Sequence, residues 1–195
     1  KGTNKVEMDE DVVEFNLNKD SNQWLYSDFD RLFELVVENT ASSQNTYDLF
    51  GHSAGGQILH RFALFAPNSK ANRILASNSG SYTIPDNKTA FPFGIENLAI
   101  KKNQMKNAFK KHLVIFLGEL DNENETGGLL LRSVTVDKQG THRLARGQYF
   151  YKNSQDIAKA KQLQFNWQLV VNSGIGHNQR KMAKVAAKYL YENNK

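Results

Sequence analysis

The chain has 195 residues, of which 39% are hydrophobic and 11% aromatic, enough apolar material to build one domain around a core and too much for a disordered segment. It carries no cysteine, which excludes disulfides and thiolate metal sites while leaving its compartment open. The formal net charge of +5 comes from lysines spread along the sequence, and no apolar run is long enough to cross a bilayer, so composition points to neither a nucleic acid nor a membrane as partner.

In chain order, Lys1-Gly2-Thr3-Asn4-Lys5 leads into an acidic stretch, residues 7–11, and not into an apolar signal core. Residues 11–17 alternate, with Val13, Phe15 and Leu17 on one side, as a short strand would. Residues 28–38 place Phe29, Leu32, Phe33, Leu35, Val36 and Val37 near helical spacing, and Asn39 with Ser42-Ser43 breaks that helix. A strand follows at 47–50, a helix at 54–65, a Pro67-Asn68-Ser69 turn, and a strand at 73–77 that empties into Asn78-Ser79-Gly80. Residues 98–111 read as a helix whose lysines, Lys101, Lys102, Lys106, Lys110 and Lys111, form a solvated face with no aromatic platform for bases between them. The continuous apolar run 112–117 is a strand ending in Gly118, 144–162 a long helix, 165–171 a further strand, and 180–192 a last helix with Met182, Val185, Ala186, Tyr189 and Leu190 on one side. Helices alternating with apolar strands predict an α/β fold, a mostly parallel sheet flanked by helices, in a single domain.

Between the first two of these strands and helices stands Gly51-His52-Ser53-Ala54-Gly55-Gly56. Taken alone this is also the pattern of a glycine-rich turn with an N-capping serine. The strand before it and the helix after it point instead to a nucleophile held at the apex of a sharp strand-to-helix turn. Gly51 and Gly55 are expected to lack the Cβ atoms that would collide there, and the Ala54 N–H, at the helix N-terminus, would face a developing oxyanion. His52 adjoins the turn and would line a pocket.

In an open parallel sheet, functional groups gather just past the carboxyl ends of the strands. The strand at 112–117 leads into Gly118-Glu119-Leu120-Asp121, and the strand at 165–171 into Asn172-Ser173-Gly174-Ile175-Gly176-His177. The order serine, acid, histidine is thus available as Ser53, Asp121, His177, with His177 as the base and Asp121 as the group that fixes its tautomer. Glu119, Glu123 and Glu125 crowd the same loop, and Glu119 and Glu123 stand next to Asp121 as candidates for the acid.

These three loops resemble those of the α/β-hydrolases, and the resemblance runs from Asp28 to the C-terminus. Within that superfamily, Phe62-Ala63-Leu64-Phe65-Ala66-Pro67, His142-Arg143-Leu144-Ala145-Arg146-Gly147-Gln148 and Phe165-Asn166-Trp167 resemble bacterial hydrolases labelled polyhydroxybutyrate-depolymerase-like or esterase-like. The resemblance implies a serine hydrolase acting on a small or oligomeric carboxylic ester, with Ser53, Asp121 and His177 as triad, Ala54 in the oxyanion hole and no metal or organic cofactor. It also brings Ser79-Gly80-Ser81-Tyr82 toward the pocket, which makes Tyr82 a substrate contact. A peptidase on the same triad and a hydrolase-like binding domain without catalysis are the competing functions.

The chain departs from that family ahead of the elbow. A member should carry about a hundred residues there, including the first strands and a glycine-bearing loop that gives the second oxyanion donor. Here 50 residues precede Gly51, and the sole glycine among them is Gly2. The expectation is an N-terminally truncated product with the first strands absent and the 47–50 strand left with an unpaired edge. Residues 11–17, a separate N-terminal fragment or a second subunit can cover that edge.

Overall fold

The computed structural model describes residues 25–192 except Asn97 and Ala99. The elements are α1 (Leu25–Thr40), β1 (Tyr47–His52), α2 (Ala54–Phe65), β2 (Ala71–Ser77), α3 (Lys102–Lys110), β3 (His112–Gly118), a short 3-10 turn (Val136–Gln139), α4 (Arg143–Ala160), β4 (Gln168–Asn172) and α5 (Gln179–Tyr191). The four strands form one parallel sheet in the order β1-β2-β3-β4. Every crossover is a helix or carries one, which is how parallel strands must be joined. No helix among the described residues is long and apolar enough to cross a membrane.

Side-chain alternation along the strands builds two cores. Ile74, Ala76, Leu113, Ile115 and Leu117 face one side, where they meet Phe62 of α2, Phe109 of α3 and Phe150 of α4. Leu75, Val114 and Phe116 face the other and meet Met182, Ala186 and Leu190 of α5. Successive strand residues point to opposite faces, so an unbroken apolar run such as residues 113–117 is what a strand covered on both sides requires.

The helix at 54–65 starts and stops where the sequence places it. Most other boundaries shift by one to four residues, and in two places the packing shows why. The segment expected to open β4 at Phe165 is an aromatic knot instead: Phe165 and Trp167 pack edge-on against Phe109, and the Trp167 indole N–H donates to the Ala108 carbonyl at 2.9 Å. Ladder pairing therefore begins only at Gln168. Helix α3 begins at Lys102 and not at Leu98, because Leu98 and Ile100 are drawn into turns by bonds to the carbonyls of Ile95 and Leu98. Of the lysine face, Lys101, Lys102, Lys106 and Lys110 are exposed, whereas Lys111 turns in to donate to the carbonyls of Ser69 and Ala71.

Among the described residues β1 has one neighbour, β2, and its other edge is open. Helix α1 stands near that edge through Tyr26 and Phe29 on Phe62 and Phe33 on Tyr47, yet Leu32, Leu35 and Val36 on its other side are exposed. The alternating residues 11–17 proposed as cover lie outside the described residues.

Candidate active site

All four strands run the same way, so the loops after β1, β2, β3 and β4 converge at one end of the sheet. The loop after β1 is the elbow. Ser53 sits at φ 57° and ψ −115°, a conformation that costs a side-chain-bearing residue about 1–3 kcal/mol and persists only where the surroundings enforce it. They do so here through bonds on both sides: Ser53 N–H donates to the Ser77 carbonyl of β2 at 2.9 Å, and Gln57 N–H donates to the Ser53 carbonyl at 3.1 Å. The glycines that permit the turn are Gly51 and Gly56. A Cβ on Gly51 would lie 2.6 Å from the Gly55 carbonyl oxygen, and one on Gly56 would lie 2.5 Å from the Ser77 carbonyl oxygen. Gly55, expected to share that duty, would meet nothing within 4 Å outside its own stretch of helix, so its lack of a side chain is not a packing requirement.

Ser53, Asp121 and His177 are brought together. The Ser53 Oγ lies 3.2 Å from His177 Nε2, and His177 Nδ1 lies 2.7 Å from Asp121 Oδ2. With Nδ1–H donating to the carboxylate, Nε2 presents its lone pair to the serine hydroxyl. Asp121 is 1% exposed. Burial pushes its carboxyl up, but bonds from His177 and Asn78 and the charge of Arg143 outweigh burial and hold it below the ordinary carboxylate range. It is therefore ionised beside the imidazole at neutral pH.

The neighbouring acids are engaged elsewhere. Glu119 accepts from Ser173 Oγ at 2.6 Å and from Gly174 N–H at 2.8 Å. Glu123 faces His142 across 3.4 Å. Glu125 accepts from the backbone N–H of His177 itself and, at 2.7 Å, from that of Gly127. These bonds hold the Glu125 carboxyl below its ordinary range. Two of the four acids thus tie the acid loop to the histidine loop, and Asp121 alone among them reaches the imidazole.

Three further residues complete the site, and none was singled out for a role in the sequence. Asn78, at φ 47° just past β2, donates from Nδ2 to Asp121 Oδ2 at 2.6 Å. Its position in Asn78-Ser79-Gly80, at a strand end beside the elbow strand, was the available signal. Ser77 Oγ donates to Asn78 Oδ1 at 2.7 Å and receives His52 Nδ1–H at 3.2 Å. Arg143, buried at the start of α4, reaches Asp121 Oδ1 at 3.4 Å and donates to the carbonyls of Gly127 at 3.3 Å and Leu129 at 2.8 Å.

His52 leans on the His177 ring with centroids 4.6 Å apart. Burial, then the charges of His177 and Arg143, pull its pKa down to about 4 against the opposing pull of Asp121. At neutral pH it is a neutral ring beside the His177 imidazole. Tyr82 is placed elsewhere. Its ring is fully buried between Phe150, stacked at 4.7 Å, and His60 at 5.0 Å, and its backbone is clasped by the Gln139 side chain. The residue expected as a substrate contact is thus packed in the core, its ring held by Phe150 and His60 and its backbone by Gln139. Among the described residues no cluster of three or more His, Asp or Glu side chains is set to hold a metal ion.

Two of the solved structures similar to this chain share more than a quarter of its residues. Poly(aspartic acid) hydrolase-1 from Sphingomonas sp. KT-1 is 32% identical over 93% of this chain and 69% of that one, with a TM-score of 0.85. LpqC, a poly(3-hydroxybutyrate) depolymerase from Bordetella parapertussis, is 28% identical over 90% of this chain and 59% of that one, with a TM-score of 0.82. The chain thus spans about two thirds of the first and less of the second. No family model matches the sequence, and no curated protein matches it.

Proposed function

This chain belongs to the esterase-like α/β-hydrolases, and from that premise we propose that it cleaves a carboxylic ester by acyl transfer through Ser53, with His177 as base and Asp121 as the acid behind it. The observation that carries the reading is the unbroken line from Ser53 Oγ to His177 Nε2 at 3.2 Å and from His177 Nδ1 to Asp121 Oδ2 at 2.7 Å. In that reading the Ser53 oxygen attacks the ester carbonyl while Nε2 takes its proton. The imidazolium so formed is stabilised by Asp121, and the oxyanion is met by the Ala54 N–H, one of the first-turn amides that a helix leaves without an internal partner. Collapse breaks the C–O bond, and Nε2 hands the proton to the departing alcohol. Water, activated by the same nitrogen, then releases the acid and restores Ser53. No cofactor enters these steps.

A second reading is hydrolysis of an amide in an acidic polymer, favoured by the likeness to a poly(aspartic acid) hydrolase. A triad does not choose between ester and amide; the surrounding pocket does. The test is turnover of a butyrate ester and of an aminoacyl amide by the native protein and by Ser53→Ala. Ester turnover that disappears in the variant supports the first reading, preferential amide turnover supports the second, and turnover that survives Ser53→Ala contradicts both.

A further inference from the structure

We infer that His52 is a positioning residue for the chemistry at Ser53: through Ser77 and Asn78 it holds the Asp121 carboxylate in the orientation that meets His177. Its role rests on Ser53 being the nucleophile and is the same whether the substrate is an ester or an amide.

Strand register brings these groups together. His52 ends β1 opposite Ser77, which ends β2, so both side chains stand on one face of the sheet. Phe50 and Leu75, each two residues earlier, pack on α5, which makes this the α5 face, and His177 stands two residues ahead of that helix. The His52 and His177 rings accordingly meet, with centroids 4.6 Å apart. Since Asp121 and His177 follow β3 and β4, one line of side chains ties the ends of all four strands.

The protons along this line can run in one direction only. Asp121 is ionised and has no proton to give, so the 2.6 Å bond at its Oδ2 must come from Asn78 Nδ2–H. That turns Asn78 Oδ1 toward Ser77, and because Oδ1 can only accept, the Ser77 hydroxyl commits its one proton there at 2.7 Å. Ser77 Oγ is left as an acceptor toward His52, so Nδ1, at 3.2 Å, must carry the hydrogen. Ser77 and Asn78 are fully buried, where bulk water does not replace a missing partner. Without the His52 N–H, the Ser77 hydroxyl loses the donor that keeps its proton on the Asn78 side. Asn78 then holds Oδ2 less firmly, at the atom that His177 Nδ1 meets at 2.7 Å. The same tautomer leaves His52 Nε2 without a proton, so an uncharged ring lies beside a base that must itself become an imidazolium.

The test is labelling of Ser53 by a fluorophosphonate, whose fluoride the Ser53 oxygen displaces, with the maximal rate kinact separated from the half-saturating concentration KI. Phenylalanine at 52 keeps a ring on His177 and lacks the donor, whereas asparagine keeps an N–H donor near the Nδ1 position and lacks the ring. His52→Phe should lower kinact about fivefold with KI little changed, the loss expected when one hydrogen bond acts through another, and His52→Asn should restore most of it. Asn78→Ala should lower kinact about tenfold, and His52→Phe added to it should leave the loss at about tenfold, where independent sites would give about fiftyfold. A native rate in His52→Phe, a His52→Asn no faster than His52→Phe, or a multiplicative double variant overturns the assignment. Should His52→Phe not fold, Ser77→Ala breaks the next link and should lower kinact about fivefold, and an unchanged rate there overturns the assignment equally. A folded native protein that takes no label contradicts the nucleophile itself, and the role of His52 falls with it.

Discussion

Replacing Gly176 with alanine probes how the histidine loop is held. A Cβ there would fall 2.1 Å from Oε2 of Glu125, while the Leu120 carbonyl oxygen, at 3.5 Å, is an ordinary contact. Gly176 does not occupy the left-handed region, so its backbone tolerates alanine. The carboxylate is the flexible end of a side chain and swings aside, forfeiting the bonds it accepts from Gly127 N–H and His177 N–H. Hydrogen bonds to a charged group are worth about 1.5–3 kcal/mol each when buried; for this half-buried carboxylate, which water can reach, we expect about 1–2 kcal/mol for the pair. Glu125→Ala removes the same bonds. In the double variant the new methyl has nothing to strike, so Gly176→Ala should cost almost nothing on the Glu125→Ala background. Urea unfolding of the four proteins gives the coupling directly, and we expect about 1–2 kcal/mol of non-additivity. Additivity within about 0.5 kcal/mol, the ordinary result for independent sites, would refute the clamp.

Other outcomes follow from the same geometry. Ser53→Gly should relieve the strained elbow, raising stability by about 1 kcal/mol in urea unfolding while abolishing turnover; a destabilised Ser53→Gly would contradict the strain. His60 is fully buried, with Nδ1–H donating to the Gly56 carbonyl and Nε2 accepting from Thr83 N–H, and burial first, then the Arg61 charge, holds its pKa well below the ordinary value. The unfolded chain takes up a proton below pH of about 6.5 that the fold resists, so this stability is complete above that pH and is lost on acidification. The unfolding free energy should fall by about 2 kcal/mol from pH 7 to pH 5 on account of His60, and His60→Gln should remove that share of the slope and leave the share due to His52. Asn78→Ala should leave Asp121 without its 2.6 Å partner and lower kcat about tenfold with KM little changed, since the bond serves the base and not substrate binding.

The parts of the site legible in the sequence were those that parallel-sheet topology dictates. Ser53, Asp121 and His177 each follow a strand recognisable by its apolar run, and strands of one direction deliver such loops to one end. The helix at 54–65 was legible to the residue because a glycine turn starts it and Ala66-Pro67 ends it. What escaped notice depends on contacts between residues far apart in the chain. Asp121 and Glu125 are both acids in one charged loop, and only the fold shows that one meets the imidazole and the other the backbone beneath it. Gly55 and Gly56 are alike in sequence, yet only Gly56 lies under the Ser77 carbonyl of the adjacent strand. Tyr82 follows a strand end as a pocket residue should, but Phe150 and Gln139, far along the chain, draw it inward. Phe165 and Trp167 have strand propensity, and packing on Phe109 overrides it.

The claim on which the rest depends is that Ser53 is an activated nucleophile. Intact mass after exposure to a fluorophosphonate, for the native protein and Ser53→Ala, tests it most directly. The account predicts one covalent adduct on the native chain and none on the variant. A folded native protein that takes no adduct, or a Ser53→Ala variant that still takes one, would contradict it.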